Sequence, residues 1–175
     1  MKVKFVRHGE TDVNKPIRRM QGISNYDFNE NGIKQAETMR DKLKNEKFDI
    51  IICSPLKRAK HTAKIINEAQ NLSLIIDNRL IERDYGKLEG ELYDRKYCNI
   101  NYDFKSVGGE TIEKYKERLK SFISDIRTKY SDKKVLVVAH NGVISVISCI
   151  VEGEPEDGNF ECRGIRNGEL KEFDF

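Results

Sequence analysis

The five residues Val135–Ala139 restrict the fold of this chain more than any other segment. All five side chains are apolar. A strand that is apolar on both faces has to be covered on both faces, which is typical of a parallel sheet with helices on either side. The sequence therefore predicts an α/β fold with this segment as a buried strand.

Other short apolar runs alternate with amphipathic segments along the chain, as in α/β domains. The predicted strands are Val3–Val6, Phe48–Cys53 and, more weakly, Leu74–Ile76. Apolar residues at three- and four-residue steps predict four helices. The first begins after Asn29 as N-cap, with Ile33, Ala36, Met39 and Leu43 on one face; the others are 56–70, 111–129 and a fourth from Asn141 through Ile150.

The length of 175 residues fits one domain, and we expect 1–175 to form it. The segment 84–108 has mixed charge, lacks a clear period and ends in Gly108-Gly109. We expect it to leave the sheet as a short lid. Asn167-Gly168 predicts either a hairpin turn or a loop before a last strand.

Composition excludes several classes of protein. With 32 basic and 29 acidic residues, the charge is too balanced for a dedicated DNA-binding domain, so we expect no nucleic-acid partner. The four cysteines form no Cys-x-x-Cys pair, so neither a zinc site nor a disulfide framework is expected. No apolar run approaches the length of a membrane helix. We expect a cytoplasmic protein with reduced thiols and no membrane partner.

Polar residues follow the predicted strands, where α/β folds bind ligands. The first strand runs into Arg7-His8, and the fourth runs into His140. The second leads toward Arg58, and the third toward Glu82. Two of the three histidines therefore stand at the carboxyl ends of strands that we expect to be neighbours.

These residue types together match a tetrahedral phosphoryl dianion. Two guanidinium groups, an imidazolium and the N–H groups that open a helix at Asn141 all attract such an anion. A neutral imidazole is a competent nucleophile toward phosphorus. Glu82 would give a proton to the leaving oxygen, a role that needs a raised carboxyl pKa. Fixed cations would neutralise the charge, so we expect no metal and no cofactor.

In this order the motifs resemble the histidine phosphatase superfamily, also called phosphoglycerate mutase-like. The resemblance covers essentially the whole chain. It rests on Arg7-His8-Gly9-Glu10-Thr11 with Asn14, on Ser54-Pro55-Leu56 with Arg58, on Leu80 with Glu82, and on Ala139-His140 with Gly142.

The resemblance implies a three-layer αβα sandwich with a central, mostly parallel sheet and helices on both faces. It also implies that His8 accepts the phosphoryl group as phosphohistidine and that Glu82 donates the proton. The remaining implied contacts are His140, Arg7, Asn14, Arg58 and Asn141 for the phosphoryl group, with Gln21, Gly22 and Thr11 as secondary contacts.

The chain departs from the family pattern at a few positions. Asn141 stands where glycine is usual, and we expect the pocket to survive because asparagine tolerates unusual backbone angles. Cys53 and His61 replace Ser or Thr and Gln, respectively, which indicates packing or surface variation. The segment 25–28 differs from the usual Asp-x-Pro-Leu, so substrate contacts there are not implied.

The family includes phosphatases and mutases, and the sequence favours a phosphatase. The mutases resemble one another in a Trp before the Asn of the first motif, whereas this chain has Val13 there and contains no Trp. The expected substrate is a sugar phosphate, a phosphoglycerate or a ribazole phosphate. A phosphoglycerate mutase, a phosphohistidine or phosphoprotein phosphatase and a non-catalytic phosphate-binding module stay open, as does a homodimer.

Overall fold

A computed structural model describes residues 1–175. Its centre is a five-stranded sheet in the order β3-β2-β4-β1-β5. Strands β1 to β4 are parallel, and only β5 runs antiparallel, against β1. The strands are β1 (Lys2–Arg7), β2 (Ile50–Cys53), β3 (Leu74–Ile76), β4 (Val135–Ala139) and β5 (Leu170–Asp174).

Four α-helices cover the two faces of the sheet. They are α1 (Glu30–Leu43), α2 (Lys57–Asn67), α3 (Ile112–Lys129) and α4 (Asn141–Glu152). Leu136 and Val138 of β4 pack with α1 and α2, whereas alternate β4 residues pack with α3 and α4. All five β4 residues are buried, because each face of the strand meets a helical layer. The predicted three-layer αβα sandwich is confirmed.

Helix α1 begins as predicted, since the Asn29 side chain accepts a hydrogen bond from the Gly32 N–H at 2.9 Å. The prediction was wrong for Ile33, which is 40% exposed. Gly32 takes the inward position instead. A Cβ there would lie 2.2 Å from the Glu10 carbonyl oxygen, so only glycine allows α1 to approach the loop after β1 this closely.

The structure near the chain end decides between the two alternatives for Asn167-Gly168, a hairpin turn or a loop before a last strand. Gly168 has a φ of 70° in a loop, and β5 then pairs with β1, not with a strand just before it. The turn therefore leads into a last strand and is not a hairpin. The other predicted elements differ from the structure only by a few residues at their ends, as at β2 and α2.

The segment 84–108 contains no α-helix and no strand of the sheet, only three short 3-10 helices. Phe104 is its buried centre, with Tyr85, Tyr97 and Tyr102 packed around the ring. Isolated β-bridges fasten it to the rest of the chain at Leu92 and Asn99. Its role as a lid stays a prediction.

None of the helices combines the length and the apolar character that crossing a membrane demands.

Candidate active site

Strands β1 and β4 bring the two strand-end histidines together. The strands pair in parallel, with Arg7 opposite Ala139, so His8 and His140 follow at the same edge of the sheet. Their ring centroids are 5.1 Å apart, and both side chains are buried. The carboxyl edge of the sheet therefore holds two imidazoles within the span of one tetrahedral anion.

His8 is held by a backbone contact in its own loop. Its Nδ1 lies 2.7 Å from the Gly9 carbonyl oxygen, which assigns the ring proton to Nδ1 because a carbonyl only accepts. Nε2 then carries the lone pair and accepts a hydrogen bond from Arg58 Nε at 3.3 Å. Burial, followed by the charges of Arg58 and Arg7, holds the pKa of His8 well below its ordinary value. The ring is therefore neutral at pH 7.

His140 is neutral for a similar reason. Burial and then the nearby charges, first that of Arg58, hold its pKa well below the ordinary value. The imidazolium expected from the sequence is thus an imidazole when no anion is bound. Its Nε2 lies 2.8 Å from Ser54 Oγ, and its buried Nδ1 has no hydrogen-bond partner in the protein. Nδ1 is therefore available to a ligand.

Arg58 is fully buried beside His8. Nη1 and Nη2 donate to the carbonyl oxygens of Ser24 and Gly22, at 2.6 and 2.7 Å. Burial lowers the pKa of Arg58 to about 10, which leaves the guanidinium charged at neutral pH. Gly22, predicted as a substrate contact, is placed to position Arg58 through its carbonyl group.

Glu89 fixes the loop that carries these carbonyl groups. Its carboxylate accepts from the backbone N–H groups of Gly22, Ile23 and Ser24, and from that of Tyr85. Three of the N–H groups it binds, those of Gly22, Ile23 and Ser24, are more than 60 residues away in sequence, so no local spacing could have indicated these partners.

Arg7 also carries its charge into the site. Nη1 donates to the Ile165 carbonyl oxygen at 2.7 Å, while the buried Nε has no partner in the protein. Burial, followed by the repulsion of Arg18, lowers the pKa of Arg7 to about 10, so it too remains charged at neutral pH. A buried cationic donor without a partner favours an anionic ligand.

Glu82 is oriented by three donors. Its Oε1 accepts from the Tyr115 hydroxyl at 2.6 Å and from the Arg83 N–H at 3.0 Å. Its Oε2 accepts from the Gly142 N–H at 2.9 Å. A Cβ on Gly142 would lie 2.3 Å from Oε1, so glycine is required for this approach. Tyr115 lies in the buried core on α3, and the sequence carried no signal that its hydroxyl would reach Glu82.

The loop after β1 contributes polar side chains of two kinds. Asn14 and Gln21 lie on the cavity wall, where the buried Gln21 Nε2 has no partner in the protein. Thr11 is fully buried, and its hydroxyl donates to Asn14 Oδ1 and Gln21 Oε1. Thr11 therefore stabilises the loop from within. The resemblance had implied a secondary contact between Thr11 and the substrate.

Asn141 is the first residue of α4 and has ordinary helical geometry, because Asn71 is the only non-glycine residue with a positive φ. Its Oδ1 accepts from the Ile165 N–H at 3.0 Å. The side chain thus joins α4 to the loop before β5. That the pocket survives this replacement of the usual glycine stays a prediction.

Two adjoining spaces lie over these residues. The inner cavity has a volume of about 60 Å³, and its wall includes Arg7, His8 and Glu82. The outer pocket has a volume of about 620 Å³ and is lined almost entirely by polar residues. Four residues belong to both walls: Arg7, Asn14, Arg18 and Asn141. No group of three or more His, Cys, Asp or Glu side chains is arranged to hold a metal ion.

The family comparison agrees with this geometry. The model of the histidine phosphatase superfamily (branch 1) matches residues 3–175. The chain belongs to the histidine phosphatase superfamily. The resemblance found in the sequence motifs is thereby confirmed.

Individual relatives of this superfamily carry phosphatase names. An uncharacterized phosphatase, PhoE, of Bacillus subtilis is 39% identical over 158 residues, which are 88% of this chain and 79% of the relative. Phosphoserine phosphatase 1 of Hydrogenobacter thermophilus is 33% identical over 87% of this chain and 77% of its own. The crystal structure of a phosphoserine phosphatase from Entamoeba histolytica in complex with 3-phosphoglyceric acid superposes with a TM-score of 0.84. It is 26% identical over 99% of this chain and 90% of the other. The predicted phosphatase class is thus supported at the level of the family.

Proposed function

We propose that this chain is a phosphomonoesterase that needs no metal ion and acts through a phosphohistidine intermediate on His8. The proposal rests mainly on the state of His8. Its ring is neutral, the Gly9 carbonyl group holds the proton on Nδ1, and the side chain lies on the wall of the inner cavity. Its Nε2 lone pair is the one available for attack on phosphorus.

The cations around His8 support binding of the phosphoryl group. Arg7 Nε and His140 Nδ1 are buried without partners, and Arg58 Nε already donates toward His8 Nε2. A phosphoryl dianion would take these donors and stabilise the charged forms of the ring and guanidinium groups. Asn14, Gln21 and Asn141 add polar groups at the wall, and no bound metal is required for charge neutralisation.

The first step transfers the phosphoryl group to the enzyme. His8 Nε2 forms a bond to phosphorus while the bond from phosphorus to the ester oxygen breaks. Glu82 gives its proton to that oxygen, so the product leaves as a neutral alcohol. We assign the proton to Oε2, because Oε1 already accepts two hydrogen bonds and Oε2 accepts only one.

The second step returns His8 to its starting state. The Glu82 carboxylate takes a proton from water, whose oxygen bonds to phosphorus as the bond to His8 Nε2 breaks. Inorganic phosphate leaves, and Glu82 is protonated again for the next cycle. The same two side chains thus serve both half-reactions.

The two spaces support a small phosphate ester as the substrate. An inner cavity of about 60 Å³ suits a phosphoryl group, and the polar outer pocket suits the remainder of a sugar phosphate, a phosphoglycerate or a ribazole phosphate. The two relatives described above are named phosphatases, which supports hydrolysis over mutase chemistry. A phosphoprotein substrate, a homodimer and a cytoplasmic location stay predictions. All four cysteines are free in the structure.

Trapping the intermediate tests the proposal. The enzyme is mixed with a ³²P-labelled ester in EDTA and quenched within one turnover, and its peptides are analysed by mass spectrometry. We expect acid-labile, alkali-stable phosphate on His8. His61→Ala is the matched control, because His61 is exposed on α2 and should leave the trapped amount unchanged. A strict requirement for Mg²⁺, or phosphate on a residue other than His8, would contradict the proposal.

A further inference from the structure

Three irregular segments meet where the inner cavity opens into the outer pocket. Arg18 comes from the loop after β1, and Tyr93 from the segment 84–108. Glu161 comes from the 3-10 helix Phe160–Arg163 near the chain end. These three residues, called the Arg18 cluster below, were not among the residues predicted from the sequence.

The cluster is built around the Arg18 guanidinium. Its central carbon lies 3.5 Å over the Tyr93 ring, and Nη1 donates to Glu161 Oε1 at 2.5 Å. The Tyr93 hydroxyl donates to Glu161 Oε2, also at 2.5 Å. Burial acts against the charge of Arg18, but Glu161 outweighs it and raises the pKa of Arg18. Burial also acts against the charge of Glu161, but the hydrogen bonds from Tyr93 and Arg18 outweigh it and lower the pKa of Glu161. Both groups are therefore charged at neutral pH.

Arg18 occupies the boundary between the two spaces. It belongs to both walls, whereas Tyr93 belongs only to the inner cavity and Glu161 only to the outer pocket. A substrate with its phosphoryl group at His8 and its remainder in the outer pocket would lie against the residues that both walls share, and Arg18 is one of them.

The other cations of the outer pocket have different positions. Arg7 is the other cation on both walls, and its charge is assigned above to the phosphoryl group. Lys15 lies 3.8 Å from Glu10, and Arg166 belongs only to the outer pocket. Arg18 is thus the cation on both walls that the phosphoryl group does not already engage.

We propose that Arg18 is the specificity-determining residue of this site and selects phosphate esters that carry a second anionic group, such as a carboxylate, close to the phosphoryl group. This rests on the proposed function. Arg18 exchanges Glu161 for the substrate's anion, so one ion pair replaces another, and the released Glu161 carboxylate keeps its hydrogen bond from the Tyr93 hydroxyl. Stacking on Tyr93 keeps the guanidinium plane oriented during the exchange, which limits the entropy lost on binding.

A pair of matched esters isolates this effect. 3-Phosphoglycerate and glycerol 3-phosphate share a three-carbon skeleton, and the first has a carboxylate where the second has a hydroxymethyl group. We expect Arg18→Gln to raise KM for 3-phosphoglycerate about tenfold to a hundredfold, the range for losing a hydrogen bond between charged groups. KM for glycerol 3-phosphate and both kcat values should change less than about threefold.

Two further variants separate specificity from structure. Arg40→Gln removes another arginine ion pair, between α1 and Glu68, and should leave both esters unaffected. Glu161→Gln frees Arg18 from its competitor and should lower KM for 3-phosphoglycerate alone.

Two outcomes would overturn the inference by itself. The first is an equal rise of KM for both esters in Arg18→Gln, and the second is a rise for 3-phosphoglycerate in Glu161→Gln. If the unaltered enzyme hydrolyses neither these esters nor any other phosphate ester, the proposed function fails and the inference fails with it.

Discussion

The two sides of the inner cavity are built in opposite ways. On the sheet side, His8 and Glu82 are at most 5% exposed and His140 is fully buried. On the loop side, the side chains of Arg18 and Glu161 are 42% and 29% exposed and come from irregular segments. Buried groups at strand ends keep a fixed geometry, which bond-making chemistry needs, whereas half-exposed groups on loops adjust to what they bind.

The hydrogen-bond partners differ in the same way. On the sheet side, His8 is held by a backbone carbonyl group and Glu82 by two backbone N–H groups. On the loop side, Arg18 is held by two other side chains. A ligand can displace a side-chain partner more easily than the backbone of a packed element. We therefore expect the phosphoryl chemistry and the choice of substrate to belong to separate parts of this molecule.

The largest effect should follow from losing the nucleophile. His8→Ala should reduce kcat by a factor on the order of 10⁴ or more, because the proposed acceptor of the phosphoryl group is then absent. His61→Ala should keep kcat within about twofold. Steady-state assays with both esters check this, with circular dichroism to establish that the variant folds. A His8→Ala enzyme of nearly full activity would show that the sheet side does not carry the chemistry.

The second-largest loss of rate should follow from Glu82→Gln, and its size should depend on the leaving group of the substrate. The amide cannot donate the carboxyl proton, so alkyl phosphates should be hydrolysed about 10²- to 10⁴-fold more slowly. An aryl phosphate such as p-nitrophenyl phosphate should lose much less, because its leaving oxygen needs little protonation. Comparing kcat/KM for the two esters measures the difference. Equal losses would remove proton donation from the role of Glu82.

The smallest effect is the pH dependence of the free energy of unfolding, which should come from the two histidines of the sheet side. The folded protein lowers the pKa of His8 and His140, whereas the unfolded chain binds these protons near pH 6.5. The unfolded state therefore gains protons first as pH falls below 6.5, and the free energy of unfolding decreases by at most about 1.4 kcal/mol per pH unit for each ring.

Urea titrations between pH 7.5 and 5 measure this slope. His140→Gln should flatten it, because one of the two rings is then absent from both states. An identical slope in His140→Gln and the unaltered protein would place the pH dependence elsewhere in the chain.

The sequence was sufficient for the elements that have a strong apolar period. The four parallel strands and all four α-helices lie close to their predicted positions, because apolar periodicity reports which faces are covered. It was insufficient at Ile33, where a close approach of Gly32 to Glu10 turns the helix face. A contact between distant backbones leaves no trace in the period of one helix.

The partners within the site were still less predictable. Tyr115 has the spacing of a core residue, and its hydroxyl reaches Glu82 because α3 packs against the 3-10 helix Asn78–Leu80, which comes just before Glu82. Glu89 binds N–H groups of a loop that is far away in sequence. Arg18 and Glu161 are 143 positions apart. Each of these pairs depends on how elements dock, not on local spacing.

The sequence by itself determined the α/β layering and the positions of His8, His140, Arg7 and Arg58 just beyond strands or early in a helix. These follow from local periodicity and from the rule that parallel strands end at one edge. Only the tertiary structure decided that both imidazoles are neutral and that the Arg18 cluster stands at the opening of the inner cavity. Burial and electrostatic coupling are set by everything packed around a group, and most of those neighbours are distant along the chain.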